Sequence, residues 1–154
     1  FHVQGDDIVW IRELGKIRGK DNYLYEPCWI HPDDAGARGI KQGDIIMAYN
    51  DRGTILFGAV ITERIIPGAL SIDHGAKIDF ALLDNRKVDR GGCINLIAPT
   101  VQEKYEKGAE IEIPEMNISG FLVEVETIDP TKIEPGVDVN YEELVQNEKP
   151  GGSA

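Results

Sequence analysis

The 154-residue sequence predicts a mainly β domain, a closed barrel of short strands with brief helices between them. Three observations lead there. The apolar stretches are short and rich in β-branched residues, turn signals separate them at close intervals, and no segment is long enough to be the crossover helix of a parallel sheet.

Taken in order, residues 1–4 read as a short strand, followed by a Gly5-Asp6-Asp7 turn and an apolar segment at 8–14. Residues 15–26, rich in Gly, Lys, Arg, Asp and Asn, read as an exposed loop. Pro32 suits the first position of a helix, Asp33 and Asp34 place carboxylates at the positive end of its dipole, and Gly39 suits the C-terminal cap. A short capped helix over 32–38 follows, with His31 as the turn residue before it. Residues 44–49 are an apolar strand, Asn50-Asp51-Arg52-Gly53 a hairpin turn, and residues 54–62 a long β-branched strand in which Ile61 is expected to be core. Pro67-Gly68 turns into a short strand at 69–73. The polar run at 84–92 reads as a Gly-rich loop ahead of a strand at 93–98, and Thr100 with Glu103 as a capping box opening a helix to about Lys107. The last strand is expected at 121–128. Residues 129–145 form a less apolar extension, and 146–154 a disordered tail.

Composition bounds the function. Apolar residues make up 42% and charged residues 28%, the balance of one soluble globular domain. The net charge of −11 gathers toward the end, where Lys132 is the only basic residue between Glu110 and Glu148. Such a chain lacks the basic footprint of a nucleic-acid binder, and no apolar run is long enough to span a bilayer. A first residue other than Met is what a segment of a longer protein would show, and a cytoplasmic setting is expected over a periplasmic one. Cys28 and Cys93 are too few for a zinc site or an iron–sulfur cluster, so they read as reduced structural thiols.

The chemistry-bearing residues are sparse. His2, His31 and His74 lie on different elements, with none of the spacing a metal site needs. No Ser, Cys or Thr sits in a recognisable nucleophile motif, so catalysis by this chain alone has little support. His2 and Gln4 would share one face of a strand, and His74 precedes Gly75, where backbone can approach a ligand. In Asp89-Arg90-Gly91-Gly92-Cys93-Ile94-Asn95, two glycines would expose amides, and the Asn95 side chain offers a donor and an acceptor suited to a purine or pterin edge. Arg86, Lys87 and Arg90 bring positive charge that suits a pyrophosphate. The plain alternative is a solvated β-turn with incidental charges.

Residues 27–75 resemble the molybdopterin dinucleotide-binding domain of the dimethyl sulfoxide reductase family of molybdenum and tungsten oxidoreductases. The family pattern of a Pro-Asp-Asp-Ala helix, Gly-Ile-x-x-Gly-Asp, a Gly turn, a long strand, Pro-Gly and His-Gly is matched in order. It falls on Pro32-Asp33-Asp34-Ala35, Gly39-Ile40 with Gly43-Asp44, Asn50 to Gly53, Pro67-Gly68 and His74-Gly75. His2-Val3-Gln4 is similar to the family's His-x-Gln, and Asn95-Leu96-Ile97 to its Asn-x-Leu-Thr stretch, so the likeness covers residues 1–128. The chain departs from the family at Ala76-Lys77-Ile78-Asp79, where many relatives place aromatic residues, and at Ile97-Ala98-Pro99, which lacks the usual Thr. Val3-Gln4-Gly5-Asp6-Asp7 with Trp10-Ile11-Arg12-Glu13 looks similar to the large subunits of transhydroxylases and resorcinol hydroxylases.

The resemblance implies a six-stranded double-psi β-barrel over residues 1–128. It also implies a bound molybdopterin guanine dinucleotide, with molybdenum or tungsten held in the parent enzyme. Carried over by position, His2, Gln4, His74 and Asn95 are contacts to the pterin and nucleotide, Gly75, Gly91 and Gly92 admit close backbone approach, and Asn117 and Ser119 are further contacts. The implied partners are upstream domains of the same parent chain and an iron–sulfur small subunit. Those upstream domains would carry the metal ligand and catalysis, so no residue here is a metal ligand. The competing expectation is a double-psi barrel used as a protein-interaction module without cofactor. An interaction module has no reason to keep the His-x-Gln, His-Gly and Asn set.

Overall fold

The computed structural model describes residues 15–102, 114–116 and 120–136. Through them run β1 (Ile17–Arg18), β2 (Leu24–Tyr25), β3 (Pro27–Ile30), α1 (Pro32–Arg38), β4 (Ile45–Tyr49), β5 (Thr54–Ile61) and β6 (Leu70–Ile72). Then follow β7 (Phe80–Leu83), β8 (Arg86–Asp89), a 3₁₀ turn at Ile94–Leu96, β9 (Thr100–Gln102) and β10 (Pro114–Met116). The last described elements are β11 (Glu124–Thr127), a 3₁₀ turn at Pro130–Lys132 and β12 (Ile133–Pro135). The molecule is thus mainly β with short helices.

The β4–β5 hairpin is the centre. Its strands pair antiparallel from Tyr49 opposite Thr54 to Ile45 opposite Gly58. Asn50 makes the turn by accepting the amides of Arg52 at 2.9 Å and Gly53 at 3.3 Å on its side-chain oxygen. Side chains alternate across this ribbon. Ile46, Ala48, Ile55, Phe57 and Ala59 enter one core cluster with Cys28, Ile30, Ala35, Ile40, Ile94 and Ile97. Ile45, Met47 and Leu56 enter a second with Tyr25, Ala81, Leu83, Val88 and Ile133. Near-continuous apolar sequence in β4 and β5 is the signature of strands covered on both faces.

The edge of β5 opposite β4 has two parallel neighbours: β8 at Ile55–Asp89 and β3 from Pro27–Gly58 to Ile30–Ile61. The eight-stranded sheet runs β11-β4-β5-β8-β7-β12, with β3 and β6 attached off that path. Among the described residues this sheet is open, where the sequence led us to expect a closed barrel. Two ribbons, β1–β2 and β9–β10, stand apart from it. Gly58 leaves room for the first of them, because a side chain there would collide with Ile17 of β1.

The helix obeys its caps as expected. His31 Nδ1 accepts the Asp33 amide at 3.2 Å, and Gly39 takes the left-handed conformation that ends the helix. The Pro67-Gly68 turn is tied to the same helix, since Asp34 accepts the Gly68 amide at 2.6 Å.

Several expectations are corrected. Residues 15–26 are not an exposed loop but the β1–β2 ribbon. Tyr25 and Glu26 are buried there, Tyr25 donating to Asp21 at 2.7 Å and Glu26 pairing with Lys16 at 2.9 Å. Residues 84–92 are not all loop. Asp84 and Asn85, both with positive φ, form a two-residue turn between β7 and β8 with Leu83 opposite Arg86. The polar strand β8 holds because Arg86 stacks on Tyr49 and Lys87 on Phe80.

Residues 93–98 carry a 3₁₀ turn, not a strand. Thr100 opens β9, paired with β10, in place of a capped helix; residues 103–113 lie outside the described set. Ile61 ends β5 half-buried, packed against the first core cluster, and the fully buried apolar side chains of that strand are Ile55, Leu56, Phe57 and Ala59. A further strand, β12, follows β11 and pairs with β7. The elements expected at residues 1–14 and 137–154 lie outside the described residues.

Candidate functional site

Beside the first core cluster lies a cavity of about 640 Å³. Ile30, Ile40, Leu70, Ile94, Ile97 and Phe121 supply much of its apolar wall, and His74, Ser71, Asp34 and Arg38 its polar lining. Two of the wall residues, Ile40 and Leu70, are delivered by turns legible in the chain, and two more by the 3₁₀ turn. Gly39 turns Ile40 back from the helix, Pro67-Gly68 brings Leu70 round, and the 3₁₀ turn presents Ile94 and Ile97 on the two sides of Asn95.

The candidate residues fall into three sets. His74 is half-buried and lines the cavity, with Gly75 after it exposed and at φ 98. Asn95 is exposed on the turn that carries Ile94 and Ile97, so its turn meets the same cavity as His74 while its amide faces solvent. His2, Gln4, Asn117 and Ser119 lie outside the described residues; Gly120, next in sequence to the last of them, lines the cavity.

Gly91 and Gly92 are held by the chain's own packing. A side chain at Gly91 would strike the Lys77 carbonyl, and one at Gly92, whose φ is 88, would strike Glu26. The Gly91 amide does not face outward either. Asp89, fully buried, takes it at 2.9 Å on Oδ1, takes the Asp79 amide on the same oxygen at 2.8 Å, and takes the Cys93 amide on Oδ2 at 2.7 Å. Burial pushes this carboxyl above the usual carboxylate range, while the three donated amides pull it back down.

The cations expected near this loop are engaged too. Arg90 Nε donates to Asp79 at 2.9 Å and its guanidinium lies 4.4 Å from the Tyr23 ring centre. Tyr23 also donates to Asp79, at 2.8 Å. Burial, with this bond to a carboxylate, raises the Tyr23 phenol above its ordinary value. Arg86 and Lys87 stack on rings as above. Sequence reasoning missed Asp89, although an Asp placed just before Arg-Gly-Gly is the pattern of a side chain that caps its own turn. It missed Asp34 and Arg38 as cavity residues as well. Among the described residues, no cluster of His, Cys, Asp and Glu could hold a metal ion, and no helix is long and apolar enough to cross a membrane.

Residues 13–113 match the molydopterin dinucleotide binding domain family. The chain is 40% identical over 116 residues to the large subunit of pyrogallol hydroxytransferase from Pelobacter acidigallici, an alignment covering 74% of this chain and 12% of that one. It is 34% identical over 134 residues to the dimethyl sulfoxide/trimethylamine N-oxide reductase of Rhodobacter capsulatus, covering 79% and 16%. Against a dimethyl sulfoxide reductase of Escherichia coli (strain K12) it is 40% identical over 80 residues, covering 52% and 10%. The chain spans only this small share of the relatives it matches.

Proposed function

The chain belongs to the molydopterin dinucleotide binding domain family, and from that membership we propose that it is the cofactor-holding C-terminal part of a larger molybdenum or tungsten oxidoreductase. The observation that carries the reading is the meeting of His74 with the Asn95 turn at one cavity. Its volume lies within the range of small-molecule and cofactor sites, and its apolar wall with few polar groups is the usual lining of such a site.

A molybdopterin guanine dinucleotide fits this donor set. The cavity offers apolar surface for a ring system, His74 on its wall can hydrogen-bond a ring edge, Asn95 on the exposed side of the adjoining turn can bond a part of the ligand that extends past the cavity, and Arg38 supplies a cation for a phosphate. When bound, the group supplies a redox-active metal centre. This chain's residues hold and orient it, and upstream domains of the parent chain complete the pocket and carry catalysis. An iron–sulfur small subunit is the further partner. We take the eight-stranded sheet as containing the strands of a six-stranded double-psi barrel, and the two parallel neighbours on one edge of β5 support that architecture.

The test uses the full-length parent enzyme. Replacing His74 or Asn95 by Ala should weaken dinucleotide retention by about 1–3 kcal/mol each, read as guanine released by acid from the purified protein. Asn95→Ala should leave the unfolding midpoint of the cofactor-free protein unchanged, since without ligand its side chain is exposed to water. Full guanine stoichiometry in both variants, at low protein concentration and after prolonged dialysis, would count against the reading.

A further inference from the structure

Resting on the proposed function, we infer that Asp89 is a positioning residue that fixes the two cofactor loops, 74–79 and 89–95, in one arrangement. Its carboxylate takes backbone amides from both of them. Oδ1 holds the Asp79 amide, at the end of the first loop, together with the Gly91 amide of the second, and Oδ2 holds the Cys93 amide. Arg90 returns the connection, its amide to the Asp79 carbonyl at 3.0 Å and its Nε to the Asp79 carboxylate at 2.9 Å. The Lys77 carbonyl lies where a side chain on Gly91 would have to go, so the loops also touch directly.

The anchor itself does not float. Asp89 ends β8 opposite Ile55 of the central strand and opposite Phe80 of β7. It is fully buried, so water cannot take over its three amides. Only a side chain with two acceptors and no donor satisfies all of them; an Asn would turn an NH₂ group toward an amide N–H. His74 opens one loop and Asn95 closes the other, so the spacing of these two ligand-reading side chains passes through Asp89.

The experiment measures how fast guanine dinucleotide leaves the folded full-length holoenzyme, for wild type, Asp89→Asn and Asp89→Ala, with Ile133→Ala as the control. Ile133 lies in the second core cluster, away from both loops, and its loss tests stability alone. Folded fraction is followed in parallel by near-ultraviolet circular dichroism, and rates are compared at a temperature where every variant compared is folded. The expected result is graded: release faster by about tenfold for Asp89→Asn and more for Asp89→Ala, with Ile133→Ala at the wild-type rate. If Asp89→Ala does not fold, Asp89→Asn alone decides.

A folded Asp89→Asn enzyme releasing the dinucleotide at the wild-type rate would overturn the inference. So would release that tracks lost stability equally in Asp89→Asn and Ile133→Ala. A wild-type enzyme that holds no dinucleotide at all would instead remove the proposed function, and this inference with it.

Discussion

The two faces of the β4–β5 hairpin are built from the same kinds of residue, yet they end differently. On one face Ile46, Ala48, Ile55 and Phe57 pack under Ile94 and Ile97, and beyond those two residues the wall opens into the cavity. On the other face Ile45, Met47 and Leu56 meet Tyr25, Val88, Leu83 and Ile133, and polar groups of the β1–β2 ribbon and β8 close over them. Among the described residues, polar groups of the chain close over one face, and the other leaves apolar surface lining a cavity. Apolar burial alone therefore does not mark a functional face. The distinguishing property is whether that surface is completed.

The largest effect that can break this contrast comes from paired truncations. Leu56→Ala on the closed face and Ile97→Ala on the open face should each cost about 2–5 kcal/mol of stability, because both side chains are fully buried. Denaturant midpoints check that. Dinucleotide retention in the parent enzyme should fall for Ile97→Ala and hold for Leu56→Ala; equal loss would erase the distinction.

Alkali should act on both faces. Burial raises the Cys28 thiol on the open face from 9.0 to about 12, and it raises the Tyr25 phenol on the closed face, helped by its bond to Asp21. A group whose folded pKa lies above its unfolded value stabilises fully below the unfolded one and loses that contribution as pH climbs through the folded one. The unfolding midpoint should thus fall steadily from about pH 9 to about pH 12. Cys28→Ala should flatten part of that fall, and Tyr25→Phe another part. An unchanged slope in Cys28→Ala would show that the thiol is not shielded as described.

A smaller effect tests the helix that frames the open face. His31→Ala removes the cap on the Asp33 amide and should cost about 1 kcal/mol in thermal or denaturant unfolding. Smallest of all is Arg64→Ala: its guanidinium lies 5.9 Å from the Trp29 ring centre in an exposed position, so about 0.5 kcal/mol is expected. A loss well above that would mean Arg64 contributes more than ring stacking.

Where the sequence was legible, local chemistry and tertiary structure agreed. The helix at Pro32–Arg38 came out with its expected bounds because Pro, the two Asp residues and Gly39 each act on their own turn. The Asn50 turn and the long strand after it were legible for the same reason. The failures share a different cause. The β1–β2 ribbon and β8 looked like loop because their sequences are polar, and side-chain contacts that polarity does not announce hold them: Tyr25 on Asp21 and Lys16 on Glu26 at the ribbon, Tyr49 under Arg86 and Phe80 under Lys87 at β8.

Of the candidate cavity, the sequence picked out two neighbours among the described residues. His74 lines the cavity and Asn95 sits on a turn that helps form it. The glycine loop, however, was expected to present its amides to a ligand, and a single buried carboxylate takes those of Gly91 and Cys93. No spacing rule shows that a charged residue will be buried, because the amides that make it tolerable come from two separate loops.

The edge that β5 shares between β8 and β3 also bears on how fast the molecule folds. The β4–β5 hairpin closes over a four-residue turn and can form early. The parallel registers join Pro27 to Gly58 and Ile55 to Asp89, so each must close a long loop before any contact rewards it. Since both neighbours use the same edge of the same strand, a misplaced β3 can block β8 and must leave before the correct order is reached. Refolding from denaturant should therefore be slow for a chain of this size. Strands β3 and β8 should gain protection from amide exchange late and together, with the β4–β5 hairpin ahead of them.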